Sequence, residues 1–380
     1  MSPGARFKQR QVDRFRALIA AVKAQAADIA VTIVADDPAD ADDKPALKQV
    51  HFLERLDAET ELNRVTRIFL DAGIACRVVF GFRKFMELAL GGSLFPAAAT
   101  IKVVVDRTEG GGHRDGFGPA RRSTGALLCR QFGFHYAHSD AYSAAITRHK
   151  HHQAIILRSS GFPVPDTWSF DSHRGWTAGE PPAGFKIICK STFEAWSIGV
   201  SEETVGEYDG RMRGAISDLA EEIGQPVCVQ QYIEGREIYS LIFDDEAPSV
   251  VGLAEARSSA GPKSNGSYLA FDDHHRPGGI IYDHVAHLPS ATALEIERAA
   301  IGTFVLLSMS VVGRIDFRVD KTGRPFIIDI ADNPGTSRAS SLVFILSAAG
   351  FSLEEIPVLL LGLSLARTGL IESVDQVPAH

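Results

Sequence analysis

The segment at 313–335 constrains the fold of this chain most, because it has the pattern of a β-hairpin. Its sequence is GRIDFRVDKTGRPFIIDIADNPG. The first part alternates polar and apolar residues, the KTGRP stretch has the composition of a turn, and FIIDIAD is a second short apolar run. The pattern predicts Arg314, Asp316 and Asp329 on neighbouring strands.

Paired carboxylates beside a cation on a rigid ribbon can hold Mg²⁺ against the phosphates of a nucleotide. Asp316 and Asp329 supply such a pair, Arg314 supplies the cation, and Asp332 and Asn333 follow the second strand. The alternative is an exposed hairpin whose charges face solvent. The hairpin alone does not separate these two interpretations, so the rest of the chain has to decide between them.

Composition limits the class of protein. The 380 residues suffice for two or three compact units, and the 45% hydrophobic content allows a large core. The net charge of −8 disfavours nucleic acid as the main partner. Four widely spaced cysteines favour a reducing compartment, so we expect a cytoplasmic protein. The longest apolar runs are shorter than the roughly 20 residues that span a bilayer, so no membrane partner is expected.

Residues 1–147 alternate between strand-like and helix-like segments. Short β-branched runs at Ala30–Ala35, Cys76–Phe80 and Ile101–Asp106 are separated by helical patterns such as Val50–Ala72. This order predicts an α/β unit built on an open parallel sheet. The Gly-rich fingerprints of dinucleotide-binding and P-loop proteins are absent from the sequence.

The N-terminus has the pattern of an amphipathic helix. Apolar residues from Phe7 to Val22 roughly share one helical face. We expect this helix to dock either on its own domain or on a partner subunit, which leaves a homodimer open.

Two further units follow, at 148–233 and 234–380. Their predicted elements are the helix Ala145–Ser159, the strand Phe185–Lys190, the helix Asp209–Ile223, the strands Val227–Ile233 and Glu237–Phe243, and the helix Ala291–Met309. The histidines at 149, 151 and 152 do not all share one face of a helix. We therefore interpret them as a solvated surface rather than a metal site.

The hairpin resembles the metal-binding hairpin of ATP-grasp ligases, in particular the D-alanine–D-alanine ligase group. That group has G-R-x-D and then E-x-N-x-x-P-G. The resemblance implies Asp316 and Asp329 as Mg²⁺ ligands and Arg314 as the cation that faces the reacting carbonyl. Asp329 replaces the usual glutamate, and Ala331 replaces an asparagine ligand. Either Asp332 or Asn333 is then expected to take over the missing ligand role.

Other segments extend the resemblance in the same order along the chain. The run from Gly133 to Lys150 is similar to G-I-P-Y…D-K, with His149 in place of the aspartate. The run KSTFEAWSIGV is similar to the K-P-x-x-E-G-S-S-x-G loop that folds over the triphosphate. The resemblance implies that the following residues contact ATP: Lys150, Lys190, Glu194, Ser197, Gly199, Gln230, Tyr232, Ile233 and Glu237.

Substrate and loop residues are implied in the same way. Trp196 replaces a serine on the substrate side, although it can equally be a packed core residue. Lys263 is the candidate lysine of a loop that closes over the phosphates, and a plain flexible loop is the alternative. Arg338, Ser340 and Ser341 follow Gly335, where the ligases bind the carboxylate of the acceptor.

The resemblance implies a three-domain ATP-grasp fold with units at 1–147, 148–233 and 234–380. It also implies an ADP-forming ligase that joins a small-molecule carboxylate to an amine through an acyl phosphate. ATP and Mg²⁺ would be required, with Mn²⁺ as an alternative ion. The departures around Trp196 and Ala331 favour substrates other than D-alanine. The alternatives are acyl transfer to another nucleophile and a nucleotide-binding protein that has lost catalysis.

Overall fold

The computed structural model describes residues 9–37, 59–109 and 118–371. Within them, the first sheet is parallel and has the strand order β2-β1-β3-β4. Strand β1 is buried along its whole length, which explains its continuous run of apolar and small residues. The predicted parallel sheet is thereby confirmed. Its elements are α1 (Gln9–Ala24), β1 (Ile29–Ala35), α2 (Glu59–Asp71), β2 (Ala75–Phe80), α3 (Phe82–Leu90), β3 (Ile101–Asp106), α4 (Thr124–Phe132) and β4 (His135–Tyr136).

The second sheet is antiparallel, with the order β6-β5-β9-β7-β8. Helix α7 packs Ile216 and Leu219 on it and starts at Asp209, whose side chain accepts a hydrogen bond from the backbone N–H of Met212 at 2.8 Å. The elements of this part are α5 (Ala141–Ile146), α6 (Lys150–Ser159), β5 (Thr167–Asp171), β6 (Gly175–Trp176), β7 (Lys186–Ser191), β8 (Val205–Glu207), α7 (Gly210–Ile223) and β9 (Val227–Gln231).

The third sheet is also antiparallel, with the order β12-β11-β10-β13-β14, and it contains the predicted hairpin as β13 and β14. The sheets follow one another along the chain, while the domain boundaries near 147 and 233 stay predictions. The elements of this part are β10 (Gly235–Asp244), β11 (Pro248–Ser258), α8 (Phe271–His275), β12 (Ile280–His284), α9 (Ser290–Leu306), β13 (Val312–Asp320), β14 (Pro325–Ala331), α10 (Ser341–Ala348) and α11 (Glu355–Arg367).

The prediction of one continuous helix at Ala145–Ser159 is wrong, because the chain turns between α5 and α6. Thr147 ends α5, and its hydroxyl donates to the carbonyl of Ser143 at 2.7 Å. The ring of His149 then caps α6 by accepting from the backbone N–H of His152 at 3.3 Å. This turn makes Lys150 the first residue of α6.

The histidine run is only partly a solvated surface, so that interpretation is also corrected. His151 is buried and His149 is half-buried, whereas His152 is exposed. Among the residues that the structure describes, no group of three or more histidine, cysteine or acidic side chains could hold a metal ion.

The N-terminal helix joins the first sheet to the C-terminal helices. Its buried residues Phe15, Leu18 and Val22 belong to one core that also contains residues of β1, β10, α10 and α11. A Cβ added to Gly362 of α11 would lie 3.2 Å from Val22 and 3.3 Å from Leu18, so this glycine permits the close approach of α1. The helix therefore docks on its own chain, but against the C-terminal helices as well as the first sheet, which is more than the predicted docking on its own domain.

In the described parts of the chain, the helices are all too short or too polar to cross a bilayer.

Candidate active site

A cavity of about 330 Å³ is lined by residues of the second and third sheets and their loops, and by residues between β3 and α4 beside the first sheet. The hairpin supplies its floor of charged residues, the β9–β10 connection supplies apolar residues, and the segment after β7 supplies a loop. The predicted site residues that line it are Lys150, Lys190, Glu194, Trp196, Ser197, Gln230, Tyr232, Ile233, Glu237, Arg314, Asp316, Asp329, Asp332, Asn333 and Ser340.

The hairpin register brings the two predicted carboxylates together. Asp316 on β13 lies directly opposite Asp329 on β14, and a bulge follows immediately after this pair. Both oxygens of Asp316 accept from Arg314, from its Nε and from one terminal nitrogen, each at 2.7 Å. The guanidinium of Arg314 also lies 4.3 Å from the ring centre of Tyr239. The planar fork of Arg314 is therefore fixed from two sides.

The two carboxylates carry different proton affinities. Burial, with added repulsion from Asp329 and Glu237, raises the pKa of Asp316 to about 7, although Arg314 opposes the shift. Burial also acts against ionisation of Asp329, but Lys150, Lys190 and Arg314 hold its pKa below the ordinary value. Two facing carboxylates in such a setting are a place where a further cation would be stabilised.

Asp332 and Asn333 line the same cavity, and each interacts with a residue from the N-terminal part of the chain. The side-chain amide of Asn333 donates to the backbone carbonyl of Asp106 at 3.1 Å. Asp332 is buried, and its charge acts on Arg122. Among the described residues, no group of three or more histidine, cysteine or acidic side chains could hold a metal ion, so Asp332 does not join the two facing carboxylates of the hairpin in such a group.

The two predicted phosphate lysines approach the hairpin from the second sheet. The Nζ of Lys150 lies 3.8 Å from Asp329 and also donates to the carbonyl of Glu194. The Nζ of Lys190 donates to Oε1 of Gln230 at 3.0 Å and to the carbonyl of Ile328 at 3.2 Å. Burial lowers the pKa of Lys190, although Asp329 opposes this. Both ammonium groups are thus held beside the acidic end of the cavity.

The loop after β7 has an unusual backbone. Trp196 and Ser197 have φ angles of 62° and 54°, and Gly199 has a φ of 88°. A Cβ on Gly199 would also lie 3.1 Å from the side chain of Leu219, so both conformation and space favour glycine here. The Ser197 hydroxyl lies 3.0 Å from Nε2 of His274. Trp196 lines the cavity with 42% of its surface exposed, so the alternative of a packed core residue does not hold.

Glu194 has a structural partner that the sequence did not reveal. Its carboxylate accepts from both terminal nitrogens of Arg121, at 2.9 and 3.1 Å, and from the amide of Gln225 at 2.9 Å. In this geometry the carbonyl of Glu194, rather than its carboxylate, contacts Lys150.

The β9–β10 connection forms the apolar wall of the cavity. Tyr232 and Ile233 are buried there, and Arg318 of β13 ties them in place. Arg318 donates to the carbonyl of Ile233 at 3.0 Å, to Glu237 at 3.1 Å and to the carbonyl of Ser267 at 2.8 Å. Sequence reasoning missed Arg318, although it shares the alternating face of β13 with Arg314 and Asp316.

Four predicted site residues do not line the cavity. Lys263 donates to the carboxylate of Asp273 at 2.7 Å and to the carbonyl of Tyr268 at 3.1 Å. Arg338 and Ser341 lie outside the lining as well, whereas Ser340 lines the cavity and caps α10 by accepting from the N–H of Val343 at 3.2 Å. Gly199 is likewise absent from the lining, although its neighbours Ile198 and Val200 belong to it.

Residues between β3 and α4, and one residue between α5 and α6, also reach the cavity, and sequence reasoning missed them. Arg107, Glu109, Arg122 and Arg148 all line it. The only available signal was their position: two follow the predicted strand at Ile101–Asp106, and Arg148 stands two residues before Lys150.

The chain is similar to known ligases over most of its length. It is 23% identical to the D-alanine–D-alanine ligase of Parvibaculum lavamentivorans over 227 residues, which cover 58% of this chain and 69% of the relative. The solved D-alanine–D-alanine ligase of Bacillus anthracis superposes with a TM-score of 0.61 at 17% identity, covering 90% of this chain and 99% of that one. The same enzyme complexed with ATP gives a TM-score of 0.59. The solved structures establish the ATP-grasp fold that the sequence predicted.

The match to a family model is more specific. The model described as the C-terminus of D-ala D-ala ligase matches residues 156–361, more than half of the chain. That range contains the loop after β7, the β9–β10 connection and the whole hairpin. The protein therefore belongs to the D-alanine–D-alanine ligase-like group of the ATP-grasp superfamily.

Proposed function

We propose that this protein is an ADP-forming ligase that uses ATP to join a small-molecule carboxylate to an amine. One observation carries the proposal: the facing carboxylates Asp316 and Asp329 share one cavity with the cations Lys150, Lys190 and Arg314. A site for a triphosphate needs cations for the phosphates and carboxylates for the metal that accompanies them. The family assignment supports the same chemistry.

ATP would lie between the β9–β10 connection and the hairpin. The backbone of Tyr232 and Ile233 would serve the adenine, and Glu237 the ribose hydroxyls. Glu237 is fixed for this role by Tyr239 at 3.0 Å and Arg318 at 3.1 Å. The ATP-bound ligase of Bacillus anthracis shares the fold, which supports an adenine nucleotide as the ligand.

Mg²⁺ fits the hairpin. Asp316 and Asp329 offer only oxygen donors, and burial raises the pKa of Asp316 to about 7, so a bound cation would favour its ionised form. When bound, Mg²⁺ would supply charge neutralisation on the phosphates. Asp316 and Asp329 would hold the ion together with phosphate oxygens and water, so the alanine at 331 is compatible with one such ion. Asp332 and Asn333 are candidate ligands for a second metal ion. Mn²⁺ is an alternative to Mg²⁺ at the first site.

The reaction would proceed in two displacements. An oxygen of the donor carboxylate attacks the γ-phosphorus and ADP leaves, which gives an acyl phosphate. The amine then attacks the acyl carbon, inorganic phosphate leaves, and the nitrogen loses a proton. Arg314, held by Asp316 and Tyr239, would stabilise the oxyanion that develops in the second displacement.

Two loops would position the reactants. Ser197 and the backbone around Gly199 would approach the phosphates, where N–H groups can surround anionic oxygens. Lys263 would reach the phosphates only by exchanging its present partner Asp273. Trp196 would face a substrate, with Ser340, Ser341 and Arg338 near the carboxylate of the acceptor.

The substrates would be small molecules other than D-alanine, and the reaction would take place in the cytoplasm. Exposed Trp196 leaves less space for a small acceptor than the serine of the ligases would. The four cysteines are free thiols, as suits a reducing compartment. A homodimer remains a prediction. Acyl transfer to a non-amine nucleophile and an ATP-binding protein without turnover are the competing functions.

ADP formation tests the proposal directly. Purified protein would be incubated with Mg²⁺, ATP and pairs drawn from panels of carboxylic acids and amines. A ligase forms ADP in amounts that depend on both the acid and the amine, with an amide as product. ADP that depends on the acid alone would favour another nucleophile. ATP binding without any ADP would support the inactive protein.

A further inference from the structure

Two arginine–carboxylate contacts on the cavity wall differ in how complete they are. Arg121 forms a closed pair: it makes two bonds to the carboxylate of Glu194, at 2.9 and 3.1 Å, and one to the carbonyl of Phe193 at 3.1 Å. Both side chains are about 5% exposed. This arrangement satisfies the guanidinium from within the protein, and a ligand has nothing to add to it.

Arg148 is bound far less completely. It lies in the turn between α5 and α6, lines the main cavity, and its side chain is 14% exposed. Within the described residues its one hydrogen bond runs to Oε1 of Glu109 at 3.1 Å. Its Nε is buried and makes no hydrogen bond to those residues. A guanidinium carries five donors, and leaving them without acceptors in a protein interior is costly.

Glu109 cannot satisfy the remaining hydrogen-bond donors of Arg148, because it also forms an ion pair with Arg122. The Oε1 atom of Glu109 accepts from Arg122 at 3.0 Å, and Arg122 donates in addition to the carbonyl of Thr108 at 2.7 Å. One carboxylate is thus shared between two buried guanidinium groups. Among the described residues, Glu109 is the one acid that forms an ion pair with Arg148, and it is shared with Arg122.

The pKa values of Arg122 and Arg148 shift in opposite directions, which agrees with the difference in their contacts. Burial acts to lower the pKa of Arg122, but Glu109 and Asp332 outweigh it and the pKa is raised. The same two acids do not overcome burial at Arg148, and Arg122 adds repulsion, so the pKa of Arg148 is lowered. The charge of Arg148 is therefore less completely balanced than that of Arg122, and a bound anion would be stabilised beside Arg148.

A third cation stands on the same wall. Arg107 follows β3, lines the cavity, and donates to the hydroxyl of Thr336 just beyond the hairpin at 3.1 Å. It brings positive charge to the side of the cavity that is formed by the N-terminal unit, away from the β9–β10 connection assigned to adenine.

We propose that one substrate of this ligase carries a second carboxylate, besides any that reacts, and that Arg148 binds it with Arg107 and Arg122 nearby. The substrate class would then be acidic amino acids or dicarboxylic acids. This inference rests on the proposed function. A planar guanidinium with free donors matches the geometry of a carboxylate. The γ-phosphate of ATP is the other anion in reach, since Arg148 stands two residues before Lys150.

Matched acid and amide pairs test the inference. Binding of aspartate and asparagine, glutamate and glutamine in both enantiomers, and succinate and succinamate would be measured by calorimetry with Mg²⁺ and a non-hydrolysable ATP analogue. We expect at least one acid to bind tenfold or more tighter than its amide. Arg148→Gln should reduce that preference about 10- to 100-fold, the range for a charge-assisted bond. Arg148→Lys should restore part of it.

Controls separate charge from folding. Arg130→Gln on the exposed face of α4 removes the same charge and should leave the preference unchanged. If Arg148→Gln unfolds, Arg148→Met, which leaves Glu109 paired with Arg122, is used in its place in the assay. The same titrations report the affinity for the ATP analogue in every variant.

The outcomes are distinct. A panel in which no acid binds tighter than its amide would overturn the inference, including one in which nothing binds. A defect of Arg148→Gln confined to the ATP analogue would assign Arg148 to the phosphates and overturn it as well. Neither result touches the proposed ligase function, which fails if the wild-type protein forms no ADP with any acid and amine, whether or not it binds the ATP analogue.

Discussion

The hairpin and the loop between β11 and β12 each contain a cation paired with a buried acid. Both residues of the hairpin pair line the cavity, whereas in the loop pair only the acid does. Arg314 and Asp316 lie two residues apart on β13, both line the cavity, and they are joined at 2.7 Å. Lys263 and Asp273 are also joined at 2.7 Å, but Lys263 points into its own loop.

The difference comes from the backbone. On a strand, residues two apart share a face, so the direction of Arg314 and Asp316 follows from the sequence once the strand is recognised. A loop has no such period. Lys263 is fixed instead by the carboxylate of Asp273 and the carbonyl of Tyr268. We therefore expect substitutions in the hairpin to affect turnover, and substitutions in the loop to affect stability first.

The largest effect is expected at the facing carboxylates. Asp316→Asn and Asp329→Asn should each lower turnover by on the order of 10³-fold or more, because a lost metal interaction is worth several kcal/mol in the transition state. ADP formation at saturating Mg²⁺ is the measurement. Circular dichroism controls for folding, since Asp316 is also a buried partner of Arg314. Near-normal rates in both variants would remove the metal from the hairpin.

Arg314 should come next, with a defect in chemistry rather than in binding. Arg314→Met should lower kcat for the amide product about 10²- to 10³-fold, as for loss of an oxyanion donor. The Kd for ATP should stay within a few-fold, because the lysines remain. Arg324→Met is a matched control, since Arg324 is exposed at the turn of the same hairpin. A loss that appears wholly in ATP affinity would argue against the oxyanion role.

The hairpin and the parallel sheet could be predicted because regular alternation and β-branched runs determine which residues pair and which are buried. The turn between the strands sets pairs such as Phe317 with Ile327, but the pairing of Asp316 with Asp329 also depends on the bulge next to it, which the sequence did not reveal. The break between α5 and α6 could not be predicted in this way. No glycine or proline marks it, and it depends on the ring of His149 and on a backbone bond from Lys150 to Thr192 in another segment.

Site residues on loops were the least accessible to sequence reasoning. A similar motif locates Glu194 beside the phosphates, but its carboxylate turns to Arg121, which is 73 residues away in the chain. Ser340 was predicted as a substrate residue, and its hydroxyl also caps α10. Such competition between a local partner and a ligand depends on three-dimensional neighbours, which a motif does not encode.

The phosphate lysines should show a moderate effect on ATP affinity. Lys150→Ala and Lys190→Ala should each weaken binding of a non-hydrolysable ATP analogue by about 1.5–3 kcal/mol, and the loss should shrink at high salt. Titration calorimetry at two salt concentrations is the measurement. Lys321→Ala, at the exposed turn of the hairpin, should have no effect. Equal affinity in all three variants and the wild type would make these lysines surface charges.

The smallest effect on turnover is expected at Lys263, and it decides whether the comparison between hairpin and loop holds. Lys263→Met leaves Asp273 buried without its main cation, although Ser258 and the N–H of Ala270 still donate to it. We expect a loss of about 1–3 kcal/mol in the free energy of unfolding. The pKa of Asp273 should rise towards its ordinary value, because Lys263 is the strongest of the groups that lower it against burial.

The double variant Lys263→Met/Asp273→Asn separates the two roles of the lysine. If Lys263 only pairs with Asp273, the double variant should recover part of the stability, and kcat should remain within a few-fold of the wild type. Chemical denaturation and steady-state ADP formation on the same preparations are the measurements. If instead kcat falls a hundredfold while stability is retained, the lysine must leave Asp273 during turnover. The loop would then contribute a catalytic cation just as the hairpin does, and the contrast drawn from the present geometry would be wrong.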